Sequence, residues 1–169
     1  ITVHCIDEGC DTGDILYQES ISIPKDATGG EMVDRLSEIY PGAIKKTLYQ
    51  LMNGTHEVQP QIEYYATHFE RRRPEDGLIC WEWRRERVYD WVRALAPPYP
   101  GAFTLLDDKK VLITSVCLSS HGFSSSDQNG LVIANDRNKP IVKTSNGALE
   151  ITSYEGSAPI TINVGDVLG

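Results

Sequence analysis

A chain of 169 residues with 40% apolar and 24% charged side chains is long enough to bury a core, as one domain or two small ones. It contains no run of the ~20 apolar residues that a helical membrane span needs and no signal-peptide pattern, so a cytoplasmic protein is expected. The net charge of −8 disfavours broad nucleic-acid binding, which rests on neutralising phosphates with Lys and Arg.

The acidity is unevenly spread. Residues 1–69 hold 11 acidic and 4 basic side chains, residues 70–110 hold 8 and 9, and residues 111–169 hold 5 and 3. The middle third therefore has room for a local anion site. Four cysteines, Cys5, Cys10, Cys80 and Cys117, fit no zinc spacing, and free thiols are expected. The chain opens on Ile1, in mid-strand and without an initiator Met, which reads as a fragment or processed product of a longer protein.

Taken in order, Ile1 to Val3 is a short apolar run that ends in a loop crowded with Asp7, Glu8, Asp11 and Asp14. Asp11-Thr12-Gly13-Asp14 followed by Ile15 and Leu16 describes a carboxylate on a tight turn at a strand end. Gly9 and Gly13 are expected to supply positive φ values and close backbone approach. An acidic surface turn or a calcium loop are the other possibilities, although the oxygen-bearing residues fall at the wrong offsets for an EF-hand.

Ile15 to Ile23 then reads as a strand closed by Pro24. Thr28 to Glu31 matches a capping box, and Met32, Val33, Leu36 and Ile39 follow at helical spacing. Pro41-Gly42 predicts a break, with Ala43, Ile44, Leu48, Leu51 and Met52 as the buried stripe of a second helix ended by Asn53-Gly54. Residues 55–82 are irregular and contain Tyr64, Tyr65, Phe69 and the run Arg71-Arg72-Arg73-Pro74. A third helix is expected from about Arg84 to Leu95, stopped by Pro97, Pro98 and Pro100.

Beyond Gly101 the pattern becomes all-β. Ala102 to Leu106, Val111 to Leu118, Gly130 to Ala134, Ile141 to Thr144 and Ala148 to Tyr154 read as short strands. Asp107-Asp108, Ser119 to Asn129, Asn135 to Asn138 and Asn146-Gly147 separate them, the last being the strongest hairpin signal in the chain. Five strands without intervening helices point to a small barrel or sandwich.

Several of these segments together resemble the folate-dependent formyltransferase family, which includes methionyl-tRNA formyltransferases and sugar N-formyltransferases. Thr2-Val3-His4 is similar to the strand entering that family's active-site loop, and Asp11 to Leu16 to the loop itself. Arg72-Arg73-Pro74-Glu75-Asp76-Gly77 with Ile79 and Trp81 resembles the connector, and Arg93-Ala94-Leu95 with Pro98 to Phe103 the Arg-Ala and Pro-x-Pro-Gly-Ala elements. Gly147 to Ile151 and Val164-Gly165-Asp166 resemble the end of the C-terminal domain.

The resemblance implies an α/β fold class: the C-terminal part of a Rossmann-like formyltransferase domain (residues 1–83 with the connector), a linking helix and Pro-rich turn (84–99), and a small all-β barrel of oligonucleotide-binding-like type (100–169). It implies 10-formyltetrahydrofolate as co-substrate and an amine as acceptor, with no metal. Formyl transfer passes through a tetrahedral intermediate and needs an acid–base group and oxyanion donors. The family supplies an Asn, a His two residues later, and the Asp of the Asp-x-Gly turn, whose charge favours the imidazolium. Only Asp11 of that trio matches here; the Asn-x-His motif would lie upstream of Ile1, so this piece alone is expected to be inactive.

The family's pterin site, carried over, is the loop Asp7, Glu8, Gly9, Cys10 and Asp11. His4 matches a strand position and reads as structural. Arg72 and Arg73, beside aromatics, suit the phosphates of an acceptor, or else form a solvated charge run. Tyr99 faces the acceptor cleft or packs at a seam, and Arg93 is placed for an ion pair with Asp76 or Asp90. The acidic C-terminal third favours a 4-amino sugar on a nucleotide over methionyl-tRNA as acceptor. A non-catalytic folate- or sugar-binding module is the alternative from another class.

Overall fold

The computed structural model describes residues 1–156 and 159–169. They form two compact units, one of residues 1–25 and 31–71 and one of residues 26–30 and 72–169.

In the first unit, β1 (Thr2–His4) and β2 (Ile15–Gln18) form an antiparallel hairpin, with Thr2 opposite Gln18 and Val3 opposite Tyr17. The strand expected to reach Ile23 stops at Gln18, because β1 is only three residues long and the last ladder bond runs from Glu19 N–H to the Ile1 carbonyl. On its other edge Ile15 exchanges both backbone hydrogen bonds with Gln59, at 2.8 and 2.9 Å.

The helix α1 (Gly29–Met52) runs unbroken through Pro41, where the sequence predicts a break. Pro41 has no N–H to donate and so removes a helical bond, yet the inward positions stay in phase across it. Met32, Leu36, Ile39, Ala43 and Thr47 recur at spacings of three and four, and Ala43 and Thr47 are buried. That phase corrects a second expectation: Ile44, Leu48, Leu51 and Met52 are exposed, not a buried stripe. Ile44, Leu48 and Met52 lie rotated away from the inward line, while Leu51, four residues on from Thr47, continues that line into the helix's last turn. Lys46 lies 4.7 Å from the centroid of the Tyr17 ring, tying α1 to the hairpin.

The second unit is a five-stranded antiparallel sheet covered by α2 (Arg85–Ala94). Its strands are β3 (Ala102–Leu106), β4 (Lys109–Ser119), β5 (Val132–Asp136), β6 (Lys139–Thr144) and β7 (Gly147–Gly156), in the order β3-β4-β7-β6-β5. Val88 and Val92 of α2 enter one core with Ile79, Trp81, Val111 and Leu149. The Trp81 indole N–H donates to the buried Thr104 hydroxyl at 3.0 Å, so the ring is buried without an unsatisfied donor.

Two hairpin turns carry consecutive left-handed residues, Asp107-Asp108 (φ 49° and 61°) and Arg137-Asn138 (φ 49° and 65°), the conformation that matches strand twist. The β6–β7 turn falls on Ser145-Asn146, one residue earlier than the Asn-Gly signal implies, and Gly147 opens β7 opposite Thr144. Asn146 is thereby freed to accept a hydrogen bond from Arg85 N–H at the start of α2, at 2.8 Å.

Among the described residues the edge strands β3 and β5 do not pair with each other. The C-terminal segment joins them instead: Gly169 exchanges both backbone bonds with Leu105, while Val132 N–H donates to Asp166 and Gly165 N–H donates to Val132. Where a barrel is expected, the strands thus form a five-stranded antiparallel sheet whose two edges both bond the C-terminal segment. No described helix is long and apolar enough to cross a membrane.

Candidate functional site

In the first unit the hairpin presents the acidic loop. Its base is closed by a hydrogen bond from Cys5 N–H to the Asp14 carbonyl at 2.9 Å. A Cβ at position 13 would collide with the Cys5 carbonyl oxygen, so close approach accounts for Gly13. The left-handed backbone expected at the glycines is found instead at Asp11, with φ 58°. Aspartate tolerates that region better than most side chains do.

Two polar contacts set the loop's shape. Asp7 Oδ1 accepts from the Thr12 hydroxyl at 2.6 Å and from Gly9 N–H at 3.1 Å, and these bonds, led by Thr12, hold its carboxyl below the usual carboxylate range. The Gln61 side-chain amide donates to the carbonyls of Asp11 and Gly13, at 2.8 and 2.6 Å. Sequence reasoning missed Gln61; only the Gln-Pro-Gln segment near the Ile15–Gln59 bridge marks it.

Asp11 Oδ1 lies 3.6 Å from His4 Nε2, and its side chain is 86% exposed. His4 Nδ1 sits 2.8 Å from the Cys5 carbonyl oxygen, an acceptor. With Nδ1–H donating there, Nε2 meets the carboxylate as a donor only when both ring nitrogens carry protons.

Cys10 and Asp11 form part of the wall of an open groove of about 740 Å³, with Ile15, Gln61, Tyr65 and Phe69. Asp7, Glu8 and Gly9 are on the loop but do not line the groove. Planar aromatic and apolar walls beside loop backbone and two carboxylates, Asp11 and Glu63, fit a flat, polar-edged heterocycle. Among the described residues no cluster of three His, Cys, Asp or Glu side chains is placed to hold a metal ion.

The second unit carries a separate cavity of about 390 Å³, within the size range of ligand pockets. Arg72, Arg73 and Tyr99 all line it, with Leu95 and Pro100 supplying apolar wall. The connector enters through a 3-10 turn at Pro74–Gly77, braced by Arg73 N–H donating to Asp76 Oδ2 at 2.7 Å. Tyr99 is backed by the start of α1, where a side chain at Gly29 would come within 2.9 Å of its ring.

Arg93 lies outside the cavity wall. It bonds Asp90 at 2.8 Å and the Ala27 carbonyl at 2.6 Å, while Asp76 is committed to the turn. Arg72 stacks on Trp91, its guanidinium carbon 4.8 Å from the ring centroid. Trp91 meets Trp83 edge-on at 5.1 Å, and Arg87 covers Trp83 at 4.1 Å. Trp83 lies just ahead of α2, four residues before Arg87 and eight before Trp91; of the three, sequence reading used only Trp91, as part of the helix's apolar face.

With these features in place, the fold and sites define a C-terminal portion of a formyltransferase-type protein, and comparison with known proteins agrees. Residues 71–165 match the family described as formyl transferase, C-terminal domain. The chain belongs to that family. It is 30% identical over 168 residues to the methionyl-tRNA formyltransferase of Ruminiclostridium cellulolyticum, covering 99% of this chain and 54% of that protein. The chain therefore spans about half the length of such relatives. Among solved structures, methionyl-tRNA formyltransferase from Clostridium thermocellum superposes with a TM-score of 0.58 at 26% identity, over 72% of this chain and 51% of that one. The N-formyltransferase of Helicobacter canadensis in complex with folinic acid and dTDP-3-aminofucose has the same fold, with a TM-score of 0.61 at 18% identity over 89% and 54% of the two chains.

Proposed function

We propose that the whole protein is an N-formyltransferase that moves a formyl group from 10-formyltetrahydrofolate to the amine of a nucleotide-linked amino sugar. Family membership supports the reaction class. The folate supplies the formyl group. Asp11, at the groove wall, pairs with the catalytic imidazole of the family's Asn-x-His motif, and the loop backbone at Cys10 and Asp11 together with the aromatic groove wall receives the pterin.

The acceptor reading rests on one observation, the cavity that brings Arg72, Arg73 and Tyr99 together. Two guanidiniums suit a diphosphate, and a phenol beside apolar wall suits a base or sugar ring. The sheet that follows is acidic, with 5 acidic and 3 basic side chains in residues 111–169, which disfavours a long RNA contact. Methionyl-tRNA is the second reading, favoured by the names of the curated relatives.

The test supplies the full-length protein and formyl-folate with either methionyl-tRNA or a panel of nucleotide-linked 3- and 4-amino sugars. Formylation of a sugar is the expected result. Efficient formylation of the tRNA with every sugar untouched would replace the first acceptor with the second. Binding of folate or sugar with no formylation of any acceptor would leave a binding module.

A further inference from the structure

An arginine that is to grip a phosphate has to be held in place without losing its N–H groups to the thing that holds it. A carboxylate partner would neutralise the guanidinium and occupy one of its edges. Arg72 has no carboxylate partner among the described residues; its recorded partner is the face of the Trp91 ring, at 4.8 Å. A ring face attracts the cation through its quadrupole and leaves the in-plane N–H donors free for a bidentate acceptor. Arg72 at the same time lines the 390 Å³ cavity.

The ring that holds it is itself fixed from two sides. The Trp91 indole N–H donates to the Gly77 carbonyl at 3.3 Å, anchoring it to the 3-10 turn that follows Arg73. Trp83 packs edge-on against it with an interplanar angle of 71°, and Arg87 stacks on Trp83 in turn. Arg72, Trp91, Trp83 and Arg87 thus make a continuous array in which two tryptophans separate two cations.

We propose that Trp91 is a positioning residue for acceptor binding: its ring aims the Arg72 guanidinium, with its N–H edges open, at a phosphate of a nucleoside diphosphate in the cavity. This rests on the acceptor reading above. It predicts that Trp91 affects acceptor affinity only through Arg72.

The experiment measures binding of UDP, dTDP and GDP to the full-length protein by calorimetry, together with KM for formyl-folate. Arg72→Met and Trp91→Leu should each weaken the tightest of the three by about tenfold, and Trp91→Phe, which keeps a ring face, by less than about threefold. The double variant Arg72→Met/Trp91→Leu should bind no more weakly than Arg72→Met alone, and folate KM should hold throughout. Should Trp91→Leu fail to fold, fluorinated tryptophans at position 91 keep the shape while draining the ring's charge, and affinity should fall with each fluorine. Wild-type affinity in Trp91→Leu, additive losses in the double variant, or a flat fluorine series would overturn the positioning role while leaving Arg72 as a ligand. Unchanged binding in Arg72→Met, or no binding of any of the three diphosphates by the wild type, would instead sink the acceptor reading and this inference with it.

Discussion

His4 Nε2 stands 3.6 Å from Asp11 Oδ1, across the mouth of a loop whose base is closed by Cys5 and Asp14. The strand residue that sequence reading set apart from the chemistry is thus the imidazole nearest the candidate catalytic carboxylate in this chain. The two can be told apart by substitution. Asp11→Asn in the full-length protein should lower turnover by on the order of a hundredfold or more with folate affinity nearly unchanged, because it removes charge from the proton-transfer partner and not from the pterin contact. His4→Gln, which can still bond the Cys5 carbonyl, should lose far less. Steady-state kinetics of both variants decide it, and an Asp11→Asn enzyme with full activity would contradict the assignment.

Gly13 tests whether the loop's shape matters. Its missing Cβ leaves room for the Cys5 carbonyl, and a backbone group cannot rotate aside as a side chain can. Gly13→Ala should therefore destabilise the protein by about 1–3 kcal/mol, the range for overpacked sites, and raise folate KM as Asp11 is displaced. Urea unfolding followed by kinetics would show it; wild-type stability would mean the loop yields freely.

Arg73→Ala should raise the acceptor KM by ~10- to 100-fold, the loss of one charge-assisted phosphate contact, while folate KM hardly moves. A comparable rise in both constants would indicate disturbance of the Pro74–Gly77 turn and not a lost ligand.

Glu86 should contribute acid-dependent stability. It accepts from the Asn146 amide at 3.0 Å and from Arg85 at 3.1 Å, and these bonds, Asn146 foremost, lower its pKa from an ordinary 4.5 to about 2. A depressed carboxylate stabilises the fold above its unfolded pKa and loses that contribution as pH falls through the folded value. The stability difference between wild type and Glu86→Gln should therefore be full above pH 4.5 and vanish near pH 2. Asn146→Ala removes the same partner and the bond to Arg85 N–H, and should cost about 0.5–2 kcal/mol, the range for a lost helix cap, at neutral pH. Denaturant titrations across that range check both.

The sheet was legible in the sequence because its turns are local chemistry. Asp107-Asp108, the Asn135–Asn138 stretch and Asn146-Gly147 each interrupt an apolar run and separate the five strands, although β5 runs on through Asn135 and Asp136 and β7 takes in Gly147. The phase of α1 was not legible. Apolarity marked Ala43, Ile44, Leu48, Leu51 and Met52 as inward, but of these Ala43 alone is buried, joined by Thr47, since phase is set by what the helix packs on and by continuity through Pro41. The same holds at the sites. Arg72, Arg73 and Tyr99 could be nominated from residue type and neighbouring prolines. Gln61, Trp91 and the left-handed Asp11 depend on contacts between distant segments, and composition carries no trace of those.

The paired bonds between Leu105 and Gly169 have a kinetic consequence. β3 is the first strand of its sheet to leave the ribosome, and although Ile79 already bonds its outer edge at Phe103, Leu105 on that same edge gains its partner only when Gly169 has been made. Until then Leu105 offers an open N–H and C=O, the kind of edge on which chains add to one another. The sheet therefore cannot finish folding progressively during synthesis, and these ladder bonds form across the long loop from Leu105 to Gly169. Slow, late completion should follow, and a trigger for misassembly wherever translation halts early.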